Sequence, residues 1–244
     1  MRKATEEEQL FAIVKREIIT KVDEDDILKL RQRVRSVQTW FFDLDDNHAP
    51  SPAKKIVRRA IGTSHFSPRY LQWCASTALQ LAWRGKAAES AAWKDYVNVF
   101  LRNEKTLAEV QKLFTPEYSR QSLYPGVEEF CGLVSKAQRF YVTRNIAEVV
   151  SAYASALKFN GFFPESDHKE KVVEDYLKKH PLIQRYGVEG DSEEDGTMIE
   201  VLQFYEKDVL SFYSMVNPKV GNQNIRFEYV IPKDRTGLVK ILQE

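Results

Sequence analysis

Two aspartates stand two positions apart directly behind an apolar run, in Val37-Gln38-Thr39-Trp40-Phe41-Phe42-Asp43-Leu44-Asp45-Asp46-Asn47. On extended backbone, residues two apart project to the same side. One carboxylate of such a pair can attack as a nucleophile, while its neighbour protonates a leaving group and then activates water. Gly190-Asp191-Ser192-Glu193-Glu194-Asp195 supplies a second acidic group. Carboxylates gathered this way repel one another unless a cation sits among them, and a few hard oxygen donors suit Mg²⁺, which also contacts substrate phosphate. An anionic substrate needs holders as well. Thr143 offers a hydroxyl and a backbone N–H just ahead of a helix start, a position that favours phosphate. Lys169 or Lys171 could neutralise both a nucleophile and phosphoryl oxygens, with Lys169 preferred as nearer its helix start.

Each residue also has a plainer reading. Asp43 and Asp45 could form a solvated loop after a strand, and Asp191 and Asp195 a turn that caps the next helix. Thr143 alone is an ordinary strand-end residue, and the two lysines alone are a solvated helix face. His48 reads as a loop residue rather than a metal ligand. Trp73, Trp83 and Trp93 read as core of a helical insertion. Arg58, Arg59, Arg69 and Arg84 read as solvated helix residues that could also turn positive charge toward an anion.

The elements that must position these groups follow from the apolar pattern. Thr5-x-x-Glu8 is a capping box, and Leu10, Ile13, Val14 and Ile18 then recur at helical spacing. A second helix fits Ile27, Leu30 and Val34 behind the acidic run 23–26. Residues 37–42, rich in β-branched and aromatic side chains, read as a buried strand, and 43–52 as a polar, Pro-interrupted loop. The segment 53–120 shows helical faces and no convincing strand.

From Tyr124 the chain alternates. Helices are expected behind Pro125, over Ile146–Leu157, His168–His180 and Asp195–Glu206. Strands are expected at Arg139–Thr143, Arg185–Gly190 and Val209–Val216, with a weak strand or loop at Phe159–Phe163. For 217–244 the reading is a loop, a strand over Ile225–Ile231 and a short terminal helix. Alternation of this kind predicts a parallel sheet with helices on both faces, and Asp43, Thr143 and Asp191 then fall where such sheets collect function, at carboxyl ends of strands.

With these residues in view, the chain resembles the haloacid dehalogenase (HAD) superfamily. Phe41 to Asn47 is similar to its first motif and Phe140-Tyr141-Val142-Thr143-Arg144-Asn145 to its second. Lys169 or Lys171 stands for the third motif, and Gly190 to Asp195, a GDxxxD, for the fourth. The resemblance covers about residues 37–216. It implies a Rossmann-like α/β core over 37–52 and 121–244 and a helical cap of the C1 type inserted over 53–120; the helical extension over 1–36 departs from the core family pattern. The resemblance further implies a Mg²⁺-dependent phosphatase acting through phospho-Asp43, with Asp45 as general acid/base and its backbone carbonyl on the metal. Thr143, the Arg144 N–H and the lysine would hold the phosphoryl group, and Asp191 and Asp195 would complete the metal site. Asn47 stands where many of those phosphatases have Thr or Val, and it too can donate hydrogen bonds. A phosphotransferase or mutase of the same fold, and a HAD-like binding protein without turnover, are the alternatives.

Composition narrows the partners. The 244 residues carry 36 Lys+Arg against 35 Asp+Glu, a balance that argues against a phosphate-backbone binder. No apolar run approaches the ~18 residues of a membrane span, and the N-terminus lacks the apolar stretch of a signal peptide. Cys74 and Cys131 are too few for a disulfide framework. A cytoplasmic enzyme acting on a small phosphorylated metabolite is expected, with a homodimer left open.

Overall fold

The structure is a computed structural model that describes residues 14–15, 24–52, 75–76, 104–192, 194–215 and 227–243. Its strands are β1 (Val14–Lys15), β2 (Thr39–Phe42), β3 (Gln138–Val142), β4 (Gly161–Phe163), β5 (Arg185–Gly190), β6 (Asp208–Met215) and β7 (Tyr229–Pro232). Its helices are α1 (Glu24–Ser36), α2 (Glu104–Leu113), α3 (Pro116–Gln121), α4 (Val127–Leu133), α5 (Ala147–Ala156), α6 (Lys169–Lys179), α7 (Gly196–Phe204) and α8 (Thr236–Gln243). One sheet runs β1-β7-β6-β5-β2-β3-β4, and every pair in it is parallel except β1 with β7.

Strand β2 lies inside the sheet between β5 and β3 and is buried along its whole length. Its side chains alternate between two cores, as the two-residue period of a strand requires. Trp40 and Phe42 join Phe130, Val149, Phe212 and Leu238 on the face covered by α4, α5 and α8, while Phe41 joins Val173, Tyr176, Val188 and Met198 on the face of α6 and α7. Trp40 has room because its β5 neighbour is Gly187; a Cβ there would meet the indole ring at 2.2 Å. Helix α1 buries Ile27, Leu30 and Val34, and carries basic Arg33 and Arg35 in its last turn, where they oppose the helix dipole.

The course of the chain sets where a site can form. From β2 it steps to β3 and β4 on one side, then crosses to β5, β6 and β7 on the other. The carboxyl ends of β2, β3 and β5 therefore flank a topological switch point.

Several details differ from the sequence reading. Val14–Lys15, expected in a helix, forms an edge strand whose Val14 pairs with Val230. A β-branched residue suits that edge, and helical spacing over so short an apolar stretch does not exclude a strand. The doubtful segment near Phe163 is a strand, and β7 begins at Tyr229 rather than Ile225. Helices α2 and α3 lie in the stretch assigned to the insertion, yet Val110 and Phe114 belong to the same core as Trp40 and Phe130. Most of the expected cap, with its three tryptophans and four arginines, lies outside the described residues, as does the Thr5 capping box. Among the described residues no helix is long and apolar enough to cross a membrane.

Candidate active site

Strand β2 delivers Asp43. Its N–H donates to the Glu189 carbonyl at 2.9 Å, continuing the β2–β5 ladder by one residue. The chain then turns: Asp46 has φ 55°, in the left-handed region that aspartate tolerates better than most residues. Leu44 O accepts from the N–H groups of Asn47 and His48 at 3.3 and 3.2 Å. The loop is thus held by its own backbone.

Asp43 is buried, and its Oδ1 accepts from Lys169 Nζ at 2.7 Å. The same ammonium donates to Asp195 Oδ1 at 2.5 Å. Lys169 is buried at the first position of α6, whereas Lys171 is exposed, so the structure brings Lys169 and not Lys171 to the acids. Burial by itself would lower the Lys169 pKa, but Asp195 and Asp43 outweigh it and hold the ammonium more strongly protonated than usual. Asp43 is pushed well above the ordinary carboxylate range. Burial is the main cause, Lys169 opposes it, and the Asp195, Asp191 and Asp45 charges add to it.

The β5–α7 loop supplies the other acids. Asp195 Oδ2 accepts from the N–H groups of Asp191 and Ser192, both at 3.0 Å, and from Ser192 Oγ at 2.8 Å. Asp195 makes no side-chain cap to the helix that follows it, so it braces the preceding loop. Asp191 rises to about 6 through burial first and the neighbouring Asp195 charge second. Lys233, just past β7, lies 3.5 Å from Asp191 Oδ2 and 5.6 Å from the centre of the Tyr124 ring.

Asp43, Asp191 and Asp195 each bring a carboxylate oxygen within 4.8 Å of the others. Their donor set is all hard oxygen, and three carboxylates stand against two ammonium groups, Lys169 and Lys233. Both features fit Mg²⁺. The Asp45 carboxylate is not in this group and lies toward β3 instead. It accepts from Ser51 Oγ at 2.9 Å, from Thr143 Oγ1 at 3.3 Å, and from Asn145 Nδ2 at 3.1 and 3.3 Å. The Arg144 guanidinium pairs with Glu194 at 3.1 Å, linking the β3–α5 loop to the β5–α7 loop.

Asn145, Ser51 and Lys233 received no role in the sequence reading. Asn145 lies beside Thr143 in the second motif, and its polar side chain at a strand end was the available signal. Lys233 carried none. His48 is fully buried, with Nδ1 2.9 Å from the Tyr141 hydroxyl, and has no place among the metal-facing acids.

No protein-family model matches the chain, and no curated protein matches it. Solved structures do. Cytosolic 5'-nucleotidase IIIB, bound to cytidine, aligns with TM-score 0.59 and 11% identity over 95% of this chain and 93% of its own. A HAD family hydrolase from Salmonella enterica serovar Typhi aligns with TM-score 0.51 and 12% identity over 91% and 82%. A protein from Burkholderia xenovorans LB400 described as haloacid dehalogenase-like aligns with TM-score 0.52 and 12% identity over 84% and 97%. With its central parallel sheet, the order of its strands and the acidic loops at their carboxyl ends, the chain has the haloacid dehalogenase-like fold.

Proposed function

We propose that the protein is a phosphatase that hydrolyses small phosphomonoesters through a phospho-aspartyl intermediate on Asp43. The observation that carries this reading is the division of labour between two aspartates of one loop. Asp43 is held by Lys169 and faces Asp191, while Asp45 is held apart by Ser51, Thr143 and Asn145.

Lys169 engages Asp43 Oδ1 and leaves Oδ2 to attack phosphorus. As that P–O bond forms, the ester P–O bond breaks, and the leaving alkoxide takes a proton from Asp45. Water then gives a proton to Asp45 and attacks the phosphorus, which frees the Asp43 carboxylate and inorganic phosphate. Thr143 and Asn145 hold the Asp45 carboxyl for both proton transfers. Lys169 sits where it can offset charge on the phosphoryl oxygens. Asp43 and Asp191 are the carboxylates suited to ligate Mg²⁺ directly, because Asp195 already spends both oxygens on Lys169 and on the loop. When bound, the ion supplies Lewis-acid neutralisation of the transferring group.

The test is phosphate release from a panel of phosphomonoesters with and without Mg²⁺, with Asp43→Asn as the blank. Nucleoside 5'-monophosphates belong in the panel because one structural neighbour is a 5'-nucleotidase. Mg²⁺-dependent release by the parent alone is expected. Equal release by Asp43→Asn overturns the mechanism.

A further inference from the structure

Beneath the acidic loops lies a polar cluster that the proposed chemistry does not use. Its centre is Arg235, in the turn between β7 and α8, with no exposed surface. Its Nε and Nη2 donate to Glu189 Oε1 at 3.1 and 2.5 Å. Nη2 also reaches Asn47 Oδ1 at 3.0 Å, Asn47 O at 3.3 Å and Ser214 Oγ at 2.9 Å, and Nη1 donates to the Pro232 carbonyl. Asn47 passes this hold on: its Nδ2 donates to the carbonyls of Asp43 at 3.0 Å and Glu189 at 3.4 Å. Glu189 is the residue before Gly190-Asp191. A single guanidinium therefore grips the far end of the Asp43 loop and the root of the Asp191 loop.

We infer that Arg235 is a positioning residue that fixes the separation of these two loops, acting through Asn47 on Asp43 and through Glu189 on Asp191. A buried ion pair does not by itself favour folding over an apolar filling of the same volume. What a planar guanidinium adds is direction. Its fork binds several acceptors at set angles, which an ammonium cannot reproduce. Arg235 is itself moored, since its N–H donates to Pro125 O at 2.7 Å and its carbonyl accepts from Val239 N at 2.8 Å. The anchor therefore belongs to α8 and the start of α4 and does not move with either loop. Partners behind metal-ligating carboxylates act in this way, and losing them weakens metal affinity or activity by ~10–100-fold.

The inference rests on the proposed phosphatase site for its effect on turnover, so its test uses a readout that does not. Arg235→Lys keeps the charge and loses the fork. Arg235→Leu with Glu189→Met removes both charges, leaves neither unpaired, and serves if the lysine variant does not fold. Amide hydrogen exchange is measured on the parent and on the variant that melts cooperatively. The expected result is that amides of 43–48 and 189–195 exchange at least ~10-fold faster together, while those of β3 and α5 keep parental rates, and that Mg²⁺ binding by calorimetry weakens ~10–100-fold. Faster exchange in one loop alone, in neither, or evenly across the sheet overturns the inference and leaves Arg235 a general packing residue. Failure of the parent to release phosphate from any ester counts against the phosphatase reading alone, because the exchange result still decides the role of Arg235.

Discussion

Gly190 and Asp195 are packed so closely that a Cβ on the glycine would lie 2.4 Å from both Cβ and Oδ2 of the aspartate. Oδ2 is the oxygen that closes the β5–α7 loop through Asp191 N and Ser192, and Oδ1 is bound to Lys169. Gly190→Ala must therefore displace Asp195 and loosen Lys169 with it. Overpacking of this kind costs ~1–3 kcal/mol. An unfolding free energy lowered by that amount in denaturant titration, together with phosphate release reduced at least ~10²-fold, is expected. A variant with parental stability and rate would show that the loop tolerates a shifted Asp195.

Lys169 is the next dependency. It lies between Asp43 and Asp195, and all three side chains are buried. Its folded pKa is raised, so the folded state holds the proton more tightly than the unfolded chain. The stabilisation is therefore complete at neutral pH and is lost only as pH climbs past the ordinary lysine value of ~10.4. Lys169→Met leaves two buried carboxylates facing each other, and breaking a buried pair in this way costs ~3–5 kcal/mol. Because the remaining acids are those suited to a dication, added Mg²⁺ is expected to recover more stability in the variant than in the parent. Urea unfolding with and without Mg²⁺ measures this directly. Equal Mg²⁺ effects on both proteins would remove the idea that the lysine and the cation offset the same charge.

How much of this was legible in the sequence depends on the range over which each signal acts. Strand β2 is buried on both faces and reads as an apolar run, β5 reads as a shorter mixed strand, and the acids at Asp43 and Asp191 mark the carboxyl edge of the sheet. The candidate lysine was narrowed to two positions, and burial on α6 separated them. Arg235 and Glu189 stayed hidden for the opposite reason. Their pairing spans 46 residues, and nothing near either one distinguishes a buried ion from a surface charge. Val14 failed differently. Four apolar residues at helical spacing outweighed the β-branched content, and only the open edge of β7 decides in favour of a strand. Asn145 was in plain view but had no role until β3 brought it against Asp45, from the other arm of the sheet.

Acid sensitivity should follow from His48. The ring is fully buried between Tyr141, whose hydroxyl is 2.9 Å from Nδ1, and the Glu189–Arg235 pair, with Nε2 3.6 Å from Glu189 Oε1. Burial lowers its pKa below the ordinary value of 6.5; Glu189 opposes the shift and Arg235 adds to it. The unfolded chain therefore binds a proton more readily than the folded protein. Stability is complete above pH ~6.5 and falls as pH drops below it, until the folded ring also protonates. His48→Gln removes the group that titrates. Thermal midpoints between pH 7.5 and pH 5 are expected to fall more steeply for the parent than for the variant, and parallel curves would show that His48 is not the group responsible.

Asp45 offers the sharpest separation of chemistry from structure. Its carboxylate accepts from neutral donors on Ser51, Thr143 and Asn145. Asp45→Asn keeps the shape and can still accept some of those bonds, so the folded structure and Mg²⁺ binding should persist. What it loses is the proton owed to the leaving group, and general acid–base catalysis is worth ~10²–10⁴-fold. That loss should depend on the ester. An alkyl phosphate leaves as a strongly basic alkoxide and needs the proton, whereas p-nitrophenyl phosphate leaves as a stable phenolate and barely needs it. The variant is therefore expected to lose ~10²–10⁴-fold on alkyl phosphates and far less in the burst of p-nitrophenolate that accompanies formation of phospho-Asp43. The subsequent release of phosphate, which requires Asp45 as a base toward water, should slow for both esters alike. An equal loss in the burst for both esters would assign Asp45 to binding and not to proton transfer.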